Sequence, residues 1–317
     1  MNNDDNIKNQ ERDIKYKHYK SEIAGYNFML FLLTAVPYHI ICALIFWGIK
    51  ASLEVYLIFI GIHAFIGVIS SVVIDSLILF SCGARDKRFF MKEEEFIIDL
   101  YLETLQKVKE AHPHLYKYFS PPDVEISAES KKLPLYIVDD ININAFATIS
   151  GIAISKGAIN TFSHEELQGI MAHELGHFGF AAFINFLKGF MFIGTLAVTI
   201  YKYIRKYTAI EVTTKKNNIE VTTETLNIVA TILDFIFLVP NYYFKIVSSI
   251  TFKKNEFFAD YIAILSGCGE ELKNALTVIY QFELLRKYSF MDRLMITHPS
   301  TAKRIVEIER LLDTENY

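Results

Sequence analysis

Two long apolar runs dominate the hydrophobic pattern of the first third of the chain. One extends from Phe28 to Ile49 without a charge, and the other extends from Val55 to Phe80, interrupted by His63 and Asp75. About 20 consecutive apolar residues are enough for a helix to span a bilayer. The pattern therefore predicts a transmembrane hairpin over residues 27–81.

Basic residues flank this hairpin on both sides. Residues 1–26 are polar, and the second run is followed by a short basic segment; the cations are Lys15, Lys17, Lys20, Arg85, Lys87 and Arg88. Because Lys and Arg accumulate on the cytosolic side, both ends of the hairpin are expected in the cytosol. The polar lead is long and the first run is full length, so no cleavable signal peptide is expected.

The pattern changes after the hairpin. Residues 91–112 show the spacing of an amphipathic helix. Alternating and β-branched residues then predict three short strands, at 135–138, 143–149 and 152–154. Ser163 and Glu166 form a capping box, which predicts a helix that starts there and continues to His177.

Two further apolar runs follow, at about 180–203 and 226–247. They contain Lys188 and Asp234, and intramembrane charges are costly unless they face protein or water. A polar near-repeat between the runs, at 210–223, predicts a β-hairpin. Its basic flanks oppose an outside location, so both alternatives stay open: the pair spans the bilayer, or it is partly embedded.

Composition fits a membrane protein. The chain is 52% hydrophobic with a net charge of −4, which is too apolar for an ordinary soluble domain of 317 residues and does not favour nucleic acid. The three cysteines show no C-x-x-C spacing, so neither a disulfide framework nor a cysteine-type zinc site is expected.

The candidate chemistry lies in the helix that follows Ser163. His173 and His177 are four residues apart, so both imidazoles project from one face and can reach one metal ion at about 2.0–2.1 Å. Glu174, between them, is placed to take a proton from a metal-bound water. The alternative is a helix with two incidental histidines.

A catalytic zinc needs a third protein ligand and an open position. The pattern H-E-x-x-H-x-x-G-x-x-H is excluded, because Phe180 and Phe183 occupy its last two positions. Glu256 is the better candidate, and Asp260, on the same helix face, can accept a hydrogen bond from a ligand histidine. An ordinary acidic helix face is the alternative.

At these residues the chain resembles the HtpX-type membrane zinc metallopeptidases, whose family also contains the CAAX prenyl endopeptidases. The resemblance covers about residues 90–310. Its pieces occur in the family's order, at Asn144–Thr148, His173–His177, Glu256–Asp260 and Thr297–Ser300 with Arg304. Ile149 and Ser150 stand where the family often has glycine.

This resemblance implies a mainly α membrane protein with a small β-sheet. Its zincin-like α+β metallopeptidase domain would be split into residues 85–178 and 249–317 around a second hydrophobic pair at 179–248, and would hold one Zn²⁺ per chain. By resemblance, Asn144, Ala145, Phe146 and Ala147 form an edge strand that binds the substrate peptide, although an internal strand is the alternative.

The resemblance also assigns two donors. His298 and Arg304 are expected to donate hydrogen bonds to the substrate carbonyl and its oxyanion. A solvated arginine on the last helix is the alternative for Arg304.

The expected function is that of a zinc endopeptidase acting on membrane proteins or their cytosolic loops, as in protein quality control. It would lie in the bilayer, with a bacterial inner membrane expected, and its N-terminus and active site would be cytosolic. The alternatives are CAAX-type processing of lipidated C-termini and a catalytically silent membrane adaptor. A transporter is disfavoured, because the apolar runs show no inverted repeat.

Overall fold

The computed structural model describes residues 3–112, 133–178, 185–186, 252–284 and 299–315. The later apolar runs (apart from residues 185–186), the predicted hairpin at 210–223 and His298 lie outside these ranges. The described chain is mainly helical with one small sheet, as expected.

Two long helices form the N-terminal part. Helix α1 (Asn3–Gly48) is continuous, whereas the sequence predicted a polar lead and a separate span from Phe28. The lead contains many good helix formers and no proline, so the helix extends through it. Helix α2 (Leu53–Ser81) begins at Ser52, whose hydroxyl accepts a hydrogen bond from the Val55 N–H.

Both helices are long and apolar enough to cross a membrane. The apolar part of α1 is Lys20–Leu44, with a mean hydropathy of 1.8, and that of α2 is its whole length, at 2.5. Large apolar side chains of α2, including Phe65, Val72 and Phe80, are exposed. The core helix of a soluble protein would bury such side chains.

The polar residues within α2 face protein. The Nε2 atom of His63 lies 2.9 Å from the Tyr38 hydroxyl of α1. The Asp75 carboxylate accepts a hydrogen bond from the backbone N–H of Ile149. Both side chains are buried, so the two interruptions of the apolar run are polar contacts inside the molecule.

A four-stranded sheet follows, in the order β1-β2-β4-β3. The strands are β1 (Arg85–Asp86), β2 (Leu135–Val138), β3 (Ala145–Thr148) and β4 (Gly151–Ser155). Strand β4 runs parallel to β2 and antiparallel to β3. The three longer strands match the predicted runs, and β3 lies at the edge of the sheet among the described residues.

Helix α3 (Phe96–Ala111) starts five residues later than the predicted amphipathic segment. The preceding residues form a 3₁₀ turn, Lys92–Glu94. Here the Glu94 carboxylate accepts hydrogen bonds from the Met91 N–H and from Arg85, so this side chain fixes a turn before the helix begins. The other helices are α4 (Lys156–Thr161), α5 (His164–Gly176), α6 (residues 252–265), α7 (Gly269–Leu284) and α8 (Thr301–Glu315).

Helix α5 lies at the centre of the helices and strands that follow α2, and it contacts α3, α7 and β3. Two glycines set how closely its neighbours approach. A Cβ atom on Gly169 would lie 2.3 Å from the Leu272 nitrogen of α7, and one on Gly176 would lie 2.8 Å from the Ala259 Cα of α6. The small residues of α5 therefore allow the backbones of α6 and α7 to pack close to it.

Candidate metal centre

Helix α5 positions the two candidate histidines. Its first turn is fixed by the predicted capping box: the Ser163 hydroxyl accepts from the Glu166 N–H at 3.2 Å, and the Glu166 carboxylate accepts from the Ser163 N–H at 2.8 Å. His173 lies in the last turn, and His177 caps the helix with its N–H on the Glu174 carbonyl. Both imidazoles therefore lie on one side, one turn apart.

His173, His177 and Glu256 come together, with one ligand atom from each within 4.8 Å of the others. The two Nε2 atoms are 3.1 Å apart, and the Glu256 carboxylate oxygens lie 3.5 Å from that of His173 and 3.4 Å from that of His177. Tetrahedral ligands at about 2.0–2.1 Å from one zinc lie about 3.3–3.4 Å from each other. The three donors therefore fit a single zinc ion.

Asp260 and Arg304 surround the ligand cluster. The Nδ1 atom of His173 lies 2.9 Å from an Asp260 oxygen, so its Nε2 faces the other two donors. Arg304 makes two hydrogen bonds to Asp260, at 2.9 and 2.6 Å, and its Nη1 lies 3.2 Å from Glu256. One guanidinium thus holds both acids of α6 in place.

The charges of this cluster favour a cation between its members. Burial and the Arg304 charge lower the pKa of His173, but hydrogen bonds to Asp260 and Glu256 raise it, and the balance raises it to about 9. Burial raises the pKa of Asp260, but the charges and hydrogen bonds of Arg304 and His173 lower it by more. The net pKa of Asp260 is therefore below its ordinary value. A metal ion and a proton therefore compete for the same imidazole.

Glu174 is placed beside the cluster. It is 8% exposed and makes no hydrogen bond or ion pair with any residue that the structure describes. Its carboxylate also lines the cavity next to His173 and His177. A carboxylate on the wall of a cavity is suited to exchange a proton with a molecule in that cavity.

A cavity of about 710 Å³ leads to this cluster. Strand β3 and Asn144 contribute to its lining, and so do Asp75 and Ile78 of α2 and Cys82, which caps α2. A side of the apolar helix α2 is therefore part of the cavity that contains the candidate ligands.

The structure brings together most of the residues that the sequence singled out. Glu174, the three donors and Arg304 line the cavity, as do residues 144–147, and Asp260 accepts hydrogen bonds from Arg304. Arg304 is 8% exposed, so it is not a solvated surface residue. The sequence did not reveal that α2 contributes a wall; the polar residue Asp75 in an apolar run was the available signal.

Comparison with known proteins identifies relatives of this chain. A family model, "Peptidase family M48", matches residues 123–312. A "Protease HtpX homolog" of Fusobacterium nucleatum is 26% identical over 200 residues, which cover 55% of this chain and 61% of the relative. Another from Sulfurovum sp. is 27% identical over 204 residues, covering 56% and 68%.

A third "Protease HtpX homolog", from Dictyoglomus turgidum, is 29% identical over 93 residues, covering 28% of this chain and 30% of the relative. The matched regions span less than two thirds of the relatives from Dictyoglomus turgidum and Fusobacterium nucleatum. Among solved structures, the crystal structure of S. mikatae Ste24p is 15% identical, with a TM-score of 0.44, and the match covers 93% of this chain and 67% of that one.

Proposed function

The chain belongs to peptidase family M48, and from this membership we propose that it is a membrane-bound zinc endopeptidase that hydrolyses peptide bonds of membrane proteins or of their cytosolic loops. One observation carries the proposal: three donors at zinc-ligand spacing and the Glu174 carboxylate line one cavity. A silent adaptor would not need that glutamate.

His173, His177 and Glu256 would hold the zinc ion, and Asp260 would keep His173 in the orientation that ligation requires. When bound, zinc supplies Lewis acidity toward a carbonyl and lowers the pKa of a bound water toward about 7. Glu174 takes a proton from the attacking water and delivers it to the leaving amine. His298 and Arg304 keep their expected role as donors to the oxyanion.

The edge position of β3 supports peptide binding. A peptide extended along Asn144 to Ala147 can add a strand to the sheet and thereby lie along the cavity. Because α2 walls the same cavity and is apolar enough to span a bilayer, substrates anchored in the membrane are favoured. The basic flanks of the hairpin support a cytosolic site. A bacterial inner membrane and a quality-control role are the location and role that we propose for it.

The proposal is tested with the chain purified in detergent, using wild type and Glu174→Gln. Both proteins are expected to carry one zinc, because Glu174 is not a ligand, and only wild type should cleave, because an amide cannot accept the proton. Metal content and cleavage of a membrane-protein loop are measured together. Glu165→Gln, an exposed change on the same helix, is the control and should behave as wild type.

A substrate panel separates the alternatives. Cleavage of the loop but not of a prenylated C-terminal peptide supports the proposed substrate class, and the opposite preference indicates CAAX-type processing. Zinc binding without cleavage of either substrate by wild type would indicate the adaptor. Equal turnover by Glu174→Gln and wild type would contradict the proposed mechanism.

A further inference from the structure

The backbone of β3 presents alternate residues to β4 and to the cavity. The Ser155 N–H donates to the Asn144 carbonyl at 2.9 Å, so residues 144 and 155 form a hydrogen-bonded pair. Hydrogen-bonded pairs alternate along an antiparallel ladder, so Phe146 and Thr148 also bond to β4. The N–H and C=O groups of Ala145 and Ala147 therefore point away from the sheet.

These outward groups form the edge to which a peptide can pair. Neither Ala145 nor Ala147 has a backbone partner across this edge among the residues that the structure describes. Their side chains pack against the core beneath β3, so the strand is supported from below. The N–H and C=O groups of Ala145 and Ala147 that point away from the sheet form the docking edge.

The next group in the same row is already occupied. Ile149 follows Ala147 by two residues, so its N–H continues the row, and it donates to the Asp75 carboxylate of α2. Asp75 thus closes one end of the docking edge. The opposite end is fixed by Ser155, whose hydroxyl accepts from the Asn144 N–H at 2.9 Å.

Burial of the Asp75 carboxylate costs free energy. It is 4% exposed, and it lies in an apolar helix whose other acid, Glu54, is in the first turn. A buried carboxylate loses hydration and needs a compensating bond. The Asp75 carboxylate accepts a hydrogen bond from the Ile149 N–H, and this contact gives a reason for the charge.

We propose that Asp75 is a positioning residue for the substrate: by occupying the Ile149 N–H, it stops a peptide from pairing beyond Ala147 and so fixes which peptide bond lies at the metal centre. The inference rests on the proposed peptidase function. It also means that a helix expected in the membrane determines the register of the bound peptide.

Removing this stop has a specific consequence. A paired strand keeps its side chains on the same faces only if it slips by two residues. With the Ile149 N–H free, a peptide can pair one step further along the edge, and a second product two residues from the first is expected. Asp75→Asn retains an acceptor oxygen and should retain the single product.

The test compares wild type, Asp75→Asn and Asp75→Leu on one peptide, with the products mapped by mass spectrometry and kcat and KM measured separately. In Asp75→Leu we expect a second cleavage two residues from the original bond. The kcat at the original bond should fall by about 10²-fold, because a small misplacement of the reacting groups lowers the rate by about that factor. Zinc content should not change. Ser76→Leu, on the exposed side of α2, is the matched control and should give the wild-type product.

Hydrogen exchange at the Ile149 amide gives a readout independent of activity. The amide should be protected in wild type and Asp75→Asn and should exchange rapidly in Asp75→Leu. Rapid exchange in wild type overturns the inference, whether or not the chain is a peptidase. An unchanged product with an unchanged kcat in a folded Asp75→Leu also overturns it.

A second variant removes the donor instead of the acceptor. Proline is accepted in turns directly after a strand, so Ile149→Pro eliminates the N–H without altering α2. Because this change leaves no donor for the extra pair, it should keep the wild-type product while Asp75→Leu shifts it. If Asp75→Leu does not fold, Asp75→Ala takes its place: a second product two residues from the first supports the inference, and an unchanged product from the folded variant overturns it.

Discussion

Glu256 joins the two histidines of α5 from a distant part of the sequence, and its position depends on α6 packing against Gly176. Removing it leaves two protein donors, and catalytic zinc sites use three. Glu256→Ala is therefore expected to lose most of the bound zinc, as are His173→Ala and His177→Ala. Zinc per chain is measured by elemental analysis after gel filtration.

The control for this prediction is Glu309→Ala, an exposed glutamate on α8, which should keep one zinc. Full zinc content in Glu256→Ala would show that another acid is the third ligand.

Arg304 is bonded to buried acids, in addition to its expected role as a hydrogen-bond donor to the oxyanion. It is bonded to Asp260 twice and reaches Glu256, so its removal leaves two buried acids without their cation. Breaking a buried ion pair typically costs about 3–5 kcal/mol. Arg304→Ala is expected to lower the thermal midpoint strongly and, in the fraction that remains folded, to lower turnover by about 10²–10³ as loss of an oxyanion donor does.

Arg310→Ala separates these effects from those of any arginine on α8, because Arg310 is exposed and pairs with Glu307 on the surface. It should change stability by less than about 0.5 kcal/mol. A single-turnover rate for folded Arg304→Ala within a factor of two of wild type would remove the donor role, and His298→Ala tests the same role at a position outside the described residues.

At the scale of elements, a small charged cluster holds the end of α2 to the sheet. Arg85 bonds to Glu94 at 2.9 and 3.1 Å and to Asp139, which follows β2, and Lys156 at the start of α4 also reaches Asp139. Burial raises the pKa of Glu94, but bonds from Arg85 and Met91 lower it more, so the net shift is downward.

A lowered pKa makes this cluster pH-dependent in a defined direction. Stability from Glu94 is present above the ordinary glutamate pKa and is lost as the pH falls through the lower folded value. Glu94→Gln should lose about 1.5–3 kcal/mol at pH 7, as for hydrogen bonds to charged groups, and its thermal midpoint should fall less on acidification than that of wild type.

Calorimetry at pH 7 and below pH 4 measures both effects, and the exposed Glu93→Gln is the control. An equal fall of the midpoint in Glu94→Gln and wild type would contradict the assignment.

Elements whose signals are local were predictable from the sequence. The capping box of Ser163 and Glu166 and the spacing of His173 and His177 identified α5 and its chemistry, and alternation identified β2 to β4. The contacts of Asp75 with Ile149 and of Arg304 with Asp260 join distant segments, so no local pattern reports them. The sequence reading assigned no secondary structure to residues 1–26, which are helical from Asn3.

At the scale of the whole molecule, the sequence predicts how the chain is oriented in the membrane. The basic flanks of the hairpin predict a cytosolic N-terminus and metal centre, with the turn between α1 and α2 outside. Two exposed positions test this: Ser52, in that turn, and the native Cys82, directly after α2.

In a Cys42→Ser background, a membrane-impermeant thiol reagent applied to intact cells should label Ser52→Cys and should reach Cys82 only after the cells are opened. Cys268 is buried and serves as the unreactive control. Labelling of Cys82 but not of Ser52→Cys in intact cells would reverse the topology.

Helix α1 is much longer than a membrane span requires. Its 46 residues, rising about 1.5 Å each, add up to about 69 Å of helix, roughly twice the 30 Å thickness of the hydrocarbon layer. Near its middle, Glu22 pairs with Lys254 at 3.5 Å, and Asn27 accepts from Asn255 at 3.5 Å, directly beside Glu256. The part of α1 before Glu22 therefore extends beyond these contacts, and α1 touches the ligand-bearing helix at the residues that directly precede Glu256.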